Sequence, residues 1–191
     1  MNIINTEIEG VVLVEPRVFG DSRGYFFESF SERDFAAAVR PVHFVQDNES
    51  LSGYGVVRGL HYQTGRFSQS KLLRVVEGEV LDIAVDIRRG SPTFGRHVSV
   101  ILSSENKRQL FIPRGFAHGF SVLSEKAVLQ YKCDRFYEPS AEGAIAWDDP
   151  DLGIDWGIHA DRVILSAKDA AHPRLKDAAD LFDYSEDLYA D

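Results

Sequence analysis

The chain reads as an all-β protein, a sandwich or barrel with a few short helices at its periphery and C-terminus. Two observations predict this. Between residues 10 and 134, apolar runs of strand length recur, mostly at a spacing of roughly 8–12 residues, punctuated by Gly, Pro, Ser and Asn. Within the clearest run the side chains alternate, with Leu81, Ile83, Val85 and Ile87 on one side and Val80, Asp82, Ala84 and Asp86 on the other. At 191 residues the chain is long enough for one well-filled core. It shows no repeat and no linker, so a single domain over 1–191 is expected, with the barrel core at about 10–165.

In order along the chain, Val11-Val12-Leu13-Val14 is a strand, ended by Pro16 and a turn at Gly20-Asp21. Gly24 to Phe30 is an aromatic-rich strand whose period of two sets Phe26, Glu28 and Phe30 on one face. Ser31 caps a helix to Val39, with Asp34 three residues on and Phe35 and Val39 sharing a face, and Pro41 stops it. Val42 to Asn48 returns to strand, sending Gln46 and Asn48 to one side and Asp47 to the other. Lys71–Val76 and Val80–Ile87 form a hairpin about Glu77-Gly78-Glu79, and strands follow at His97–Leu102, Gln109–Ile112, Ala117–Leu123 and Ala127–Asp134. Ser166 to Ala171 has the pattern of a capping box, broken by Pro173. The acidic tail, about 174–191, is expected to be helical over Lys176–Leu188.

Composition narrows function. A net charge of −9 argues against nucleic acid as the main partner, because phosphate backbones require a basic footprint. The single cysteine, Cys133, excludes an internal disulfide. The start, Met1 to Asn5, lacks a signal-peptide pattern and the apolar runs are too short for a bilayer, so no membrane association and a cytoplasmic location are expected. No histidine forms an H-x-H or H-x-x-x-H pair, so no metal is expected.

The chemistry concentrates at Val57-Arg58-Gly59-Leu60-His61-Tyr62-Gln63, with Lys71 just beyond. His61 is the candidate base, since imidazole titrates close to neutral pH, and Asp169 is a possible orienting carboxylate. Asp169 could equally serve only as a helix cap. Arg58 and His61 are an odd number of positions apart, so a regular strand would separate them; a bulge at Gly59 would re-aim them into one cavity. His118, among aromatics and glycines, and Tyr131, beside Leu129 and Cys133, are each compatible with a purely structural role. Arg23 and Lys168 are further candidate cations, and Tyr137 at a strand end could stack on a base or sugar.

Six stretches together resemble the dTDP-4-dehydrorhamnose 3,5-epimerase family: Val18 to Ser29, Phe44 to Asn48, Val57 to Gln63, Ser91 to Gly95, Pro113 to Phe120 and Leu165 to Asp169. They run in order across nearly the whole chain and stop before the acidic tail. The resemblance implies a cupin-type jelly-roll barrel, no cofactor, and a homodimer with exchanged N-terminal strands. It implies a dTDP-sugar substrate, dTDP-4-dehydro-6-deoxy-D-glucose, inverted at C3 and C5 in dTDP-L-rhamnose biosynthesis. It makes His61 the proton acceptor supported by Asp169, Tyr131 the proton donor, and Lys71 the partner of the enolate oxygen. By the same resemblance Arg23, Glu28, Gln46, Asp47, Asn48, Arg58, His118, Glu142 and Lys168 contact the nucleotide sugar. Tyr137 stacks on thymine, and Phe26 reaches the partner's site. A single-centre epimerase or ketoisomerase on a related sugar, or a non-catalytic nucleotide-sugar-binding cupin, are the alternatives.

Overall fold

The computed structural model describes residues 1–190. The strands are β1 (Asn2–Asn5), β2 (Val12–Glu15), β3 (Phe19–Asp21), β4 (Gly24–Phe26), β5 (Gln46–Gly53), β6 (Val57–Gln63), β7 (Lys71–Glu77) and β8 (Glu79–Asp86). They continue with β9 (Arg88–Arg89), β10 (His97–Ser103), β11 (Gln109–Ile112), β12 (Phe116–Val122), β13 (Lys126–Cys133), β14 (Glu142–Ala144) and β15 (Phe182–Asp183). One α-helix, α1 (Glu32–Ala38), and several 3₁₀ turns complete the described residues.

Two sheets face each other. One is ordered β1-β2-β11-β7-β13-β5 and the other β10-β8-β12-β6-β14. All neighbours within the two are antiparallel. The alternating strands predict such an all-β sandwich or barrel, and the family resemblance implies its jelly-roll form. Leu73, Val75, Val80, Leu110, Phe120 and Leu129 are buried in one cluster between the sheets, where apolar area leaves water.

Each sheet also has a covered outer face. Phe35 from α1 packs with Val12, Leu72 and Phe111 over the first sheet. Ser31 accepts a hydrogen bond from the Asp34 amide at the start of this helix, as expected of a cap. Phe30 precedes the cap and meets Phe35, with ring centroids 5.8 Å apart, forming a hydrophobic staple. That contact explains a difference from expectation: the aromatic strand ends at Phe26, because Phe30 is used to steer the chain into α1. The strand expected from Val42 likewise begins only at Gln46, since Val42 is buried with Phe35 and Phe44 packs on Phe30.

Over the second sheet lie Leu152, Trp156, Leu175, Ala178 and Phe182, packed on Tyr62, Ile83, Val85 and Ala117. The tail expected to be helical is not. It forms a 3₁₀ turn at Leu175–Asp177 and the short β15, which pairs in parallel with β9. Its acidic residues work against a helix by bonding their own backbone. The Asp183 carboxylate accepts from the Ser185 amide at 2.8 Å, and Asp187 from the Tyr189 amide at 3.0 Å. No helix among the described residues is long and apolar enough to cross a membrane.

Candidate active site

The register of β6 against β12 carries the local irregularity that the site depends on. His61 lies opposite His118 while Arg58 lies opposite Phe120, so three steps on β6 match two on β12. Gly59 absorbs the extra residue with φ +115° and precedes a cis peptide to Leu60. A side chain there would meet the Gly119 Cα and the His118 carbonyl at 2.6 Å, so only glycine fits. The bulge expected at Gly59 is therefore present.

His61 lies half-buried on β6, and its Nε2 is 2.6 Å from the Asp169 Oδ1. Asp169 opens the 3₁₀ turn Asp169–Ala171, and Ser166 Oγ both accepts from its amide at 3.0 Å and donates to its Oδ2 at 2.7 Å. Asp169 is thus both the capped turn residue and the partner of His61. Burial works to raise its carboxyl, but the Ser166 hydroxyl, His61 and the Gly59 amide outweigh it and hold the group below the ordinary range. For His61, loss of solvent is the largest influence and lowers the imidazole, against the raising effect of Asp169; Lys71 and His172 add to the lowering. A neutral imidazole bonded to Asp169 through Nε2–H leaves Nδ1 as its free acceptor.

A cavity of about 280 Å³ opens in front of His61, walled by both sheets. From β6 and β14 come His61, Gln63 and Glu142; from β5, β7 and β13 come Gln46, Asn48, Lys71 and Tyr131. Tyr137 and Gln69 lie at its border. The parity expected of β5 holds: Gln46 and Asn48 line this cavity, whereas Asp47 points to the opposite face and pairs with Lys132 at 2.9 Å.

Lys71 and Tyr131 are neighbours across β7 and β13, with the Lys71 Nζ 5.9 Å from the tyrosine ring centre. Burial lowers the Lys71 ammonium, opposed by the neighbouring Cys133 and by the carboxylates of Asp82 and Glu142. Among the described residues the ammonium has no hydrogen-bond or ion-pair partner. Burial raises the Tyr131 phenol, and nearby Arg58 works the other way. Cys133, opposite Lys71, is pushed up to about 11 by burial and stays a thiol. At the rim, the Glu142 carboxylate accepts from Lys168 at 2.6 Å and from the Tyr137 hydroxyl at 2.8 Å.

Not every predicted residue converges here. Arg58 is exposed and donates to Ser52 Oγ at 3.0 Å, close enough to act on Tyr131 but outside the cavity lining. His118 is buried behind the wall, with Nε2 3.1 Å from Asp82. Arg23 and Phe26 line a separate depression formed by the β3–β4 hairpin, and Glu28 lines another with Phe26. Within one chain these three do not reach His61. Conversely, Gln63 and Gln69 line the cavity without having been singled out; Gln63 sits two positions from His61 on the same strand, which is the signal that could have found it.

A half-buried base on a carboxylate, an unpaired ammonium and a protonated phenol facing it form a site for moving protons next to a developing oxyanion. The model of the family described as dTDP-4-dehydrorhamnose 3,5-epimerase matches residues 5–177. The chain belongs to that family. It is 54% identical over 179 residues to dTDP-4-dehydrorhamnose 3,5-epimerase of Salmonella typhimurium, covering 93% of this chain and 97% of the relative. Identity to the Pseudomonas aeruginosa epimerase is 55%, over 93% of this chain and 98% of that one. The crystal structure of the Legionella pneumophila epimerase, solved with dTDP-4-keto-L-rhamnose, is 50% identical. It superposes with a TM-score of 0.93, covering 97% of this chain and 99% of its own.

Proposed function

We infer that the chain performs its family's reaction, inversion of C3 and C5 in dTDP-4-dehydro-6-deoxy-D-glucose to give dTDP-4-dehydro-L-rhamnose, for dTDP-L-rhamnose synthesis. The observation that carries the reading is that His61 and Tyr131 come from opposite sheets to line one cavity, with Lys71 beside Tyr131 on its own sheet and also in the lining. Epimerisation requires a proton to leave one face of a carbon and another to arrive on the opposite face. One group cannot do both, and two groups on facing walls can.

His61 accepts the proton at Nδ1, and the resulting imidazolium is stabilised by Asp169. The C4 ketone next to C3 and C5 is the electron sink, so the substrate supplies its own means of stabilising the carbanion as an enolate. Lys71 holds the enolate oxygen; a fixed donor of that kind is worth about 3–4 kcal/mol in the transition state. Tyr131 returns a proton from the other face, and its raised phenol keeps that proton available at neutral pH. A histidine lowered by burial stays unprotonated for the same step.

Tyr137, Glu142 and Lys168 at the rim bind the nucleotide end, with the half-exposed Tyr137 ring offered to the base. The β3–β4 hairpin supports a homodimer with exchanged N-terminal strands. Its Phe26 and Tyr25 are 70% and 60% exposed, a large apolar surface that a partner chain would cover while bringing Arg23, Phe26 and Glu28 to the other cavity. Incubation with dTDP-4-dehydro-6-deoxyglucose in deuterated water tests the reaction. Deuterium at both C3 and C5 of an inverted product is expected. Label at one centre would make it a single-centre epimerase, and none at saturating protein a binding protein.

A further inference from the structure

Behind the base lies a third group that the epimerisation does not use. His172 follows Asp169 by three residues, so the 3₁₀ turn sets both side chains on one face. Its Nε2 is 3.4 Å from the Asp169 Oδ1, the oxygen that also receives His61. The two imidazole rings meet edge to face at 5.7 Å. The His172 side chain is only 11% exposed, and its Nε2 has no hydrogen-bond partner. Leaving such a buried nitrogen unsatisfied costs about 1–3 kcal/mol. The His61 and His172 nitrogens and the Asp169 oxygen all lie within 4.8 Å of one another.

We propose that His61, Asp169 and His172 form an inhibitory binding site for a divalent transition metal of the Zn²⁺ or Co²⁺ type. Two imidazole nitrogens and one carboxylate oxygen are the donor set such ions prefer, whereas Mg²⁺ and Ca²⁺ favour all-oxygen sites. Metal bonds of about 2.0–2.2 Å at tetrahedral angles set ligand atoms roughly 3.3–3.6 Å apart. The Asp169–His172 separation already has that value. The shorter His61–Asp169 separation opens once no proton is shared between them. Ser166, bonded to the other carboxylate oxygen at 2.7 Å, fixes the orientation of Asp169 as the outer partner of a metal ligand does. Three protein donors leave a fourth position for water.

Metal binding would silence the base by tautomer. The ion takes the Nε2 lone pair of His61, so the proton of the neutral imidazole moves through solvent to Nδ1. His172 changes tautomer in the same way, and no net proton is lost. His61 then presents an N–H to the cavity and has no lone pair with which to accept a proton from C3 or C5. The inhibition rests on the role proposed for His61, but the binding does not.

The test uses full-length, chelator-treated protein titrated with Co²⁺, read by the visible d–d absorption of low-coordinate cobalt and, in parallel, by epimerase turnover. One equivalent of cobalt is expected to bind, to be displaced by Zn²⁺, and to suppress turnover in step with occupancy. His172→Ala and His172→Gln should weaken both cobalt binding and Zn²⁺ inhibition by at least about tenfold, the inhibition being read against each variant's own metal-free turnover. No cobalt band in the wild type, or a band unchanged in both variants, overturns the site. A band that depends on His172 while turnover is indifferent to metal keeps the site and overturns His61 as the base.

Discussion

Replacing Gly59 with alanine tests how the fold builds the site. The residue has φ +115°, where a side chain is strained, and its Cβ would lie 2.6 Å from both the Gly119 Cα and the His118 carbonyl. These are backbone atoms of β12 and cannot rotate away. Backbone strain of this kind costs about 1–3 kcal/mol, and overpacking against a rigid neighbour about as much again. A loss of roughly 2–6 kcal/mol is expected, which for a chain of this size lowers the melting temperature by about 4–24 °C. Relief requires β6 to slide off β12, and that moves His61, two residues on. A displacement near 1 Å at a reacting group costs on the order of 100-fold in rate. Urea unfolding at fixed protein concentration and turnover below the transition should both change. Gly59→Ala with wild-type stability and turnover would refute the idea that the bulge positions the base.

Further outcomes follow from single groups. Tyr131→Phe should still allow solvent exchange at C3 and C5 but yield almost no inverted sugar, because His61, once its abstracted proton has been replaced from solvent, returns a hydrogen to the face it came from; a fall in inversion below about 100-fold would count against its role as donor. The acid limb of kcat/KM against pH, in metal-free protein, should lie below the ordinary imidazole value, since burial lowers His61. Asp169→Asn removes the largest raising influence, so the limb should move to still lower pH even as turnover drops; a limb moving upward would contradict the assignment. Tyr189→Phe should cost about 1–2 kcal/mol in urea unfolding. Its hydroxyl lies 2.6 Å from Ser70 Oγ and accepts from the Arg114 amide at 3.1 Å, fastening the tail beside Lys71.

Much of the site was legible because short-range pattern forced it. Ser31 with Asp34 and the alternation of Gln46, Asp47 and Asn48 each had one simple structural solution, and the chain adopts it; the odd parity of Arg58 and His61 does produce the bulge at Gly59, but Arg58 turns to Ser52 instead of sharing the cavity with His61. Contacts over long sequence distances were not legible. The His61–Asp169 bond joins residues 108 apart, and spacing alone could not separate a partner from a turn cap; Asp169 turns out to be both. His172 forms no H-x-H or H-x-x-x-H pair; its relation is to a carboxylate three positions away, which a histidine-pair spacing does not reveal. The tail misled for another reason. Leu175, Ala178 and Phe182 have helical spacing, yet Asp183 and Asp187 bind their own backbone and β15 takes a partner in β9. His118 was grouped with the cavity by resemblance, but its bond to Asp82 keeps it within the wall.

The central claim is that His61 is the group that removes protons from both carbons. Its most direct test is the rate at which C3 and C5 hydrogens of dTDP-4-dehydro-6-deoxyglucose exchange with deuterated water, measured for wild type and His61→Ala with matched substrate occupancy. Exchange at both positions should fall by at least about 100-fold in the variant, with dTDP still bound. Exchange at either position continuing near the wild-type rate would show that another base serves that carbon.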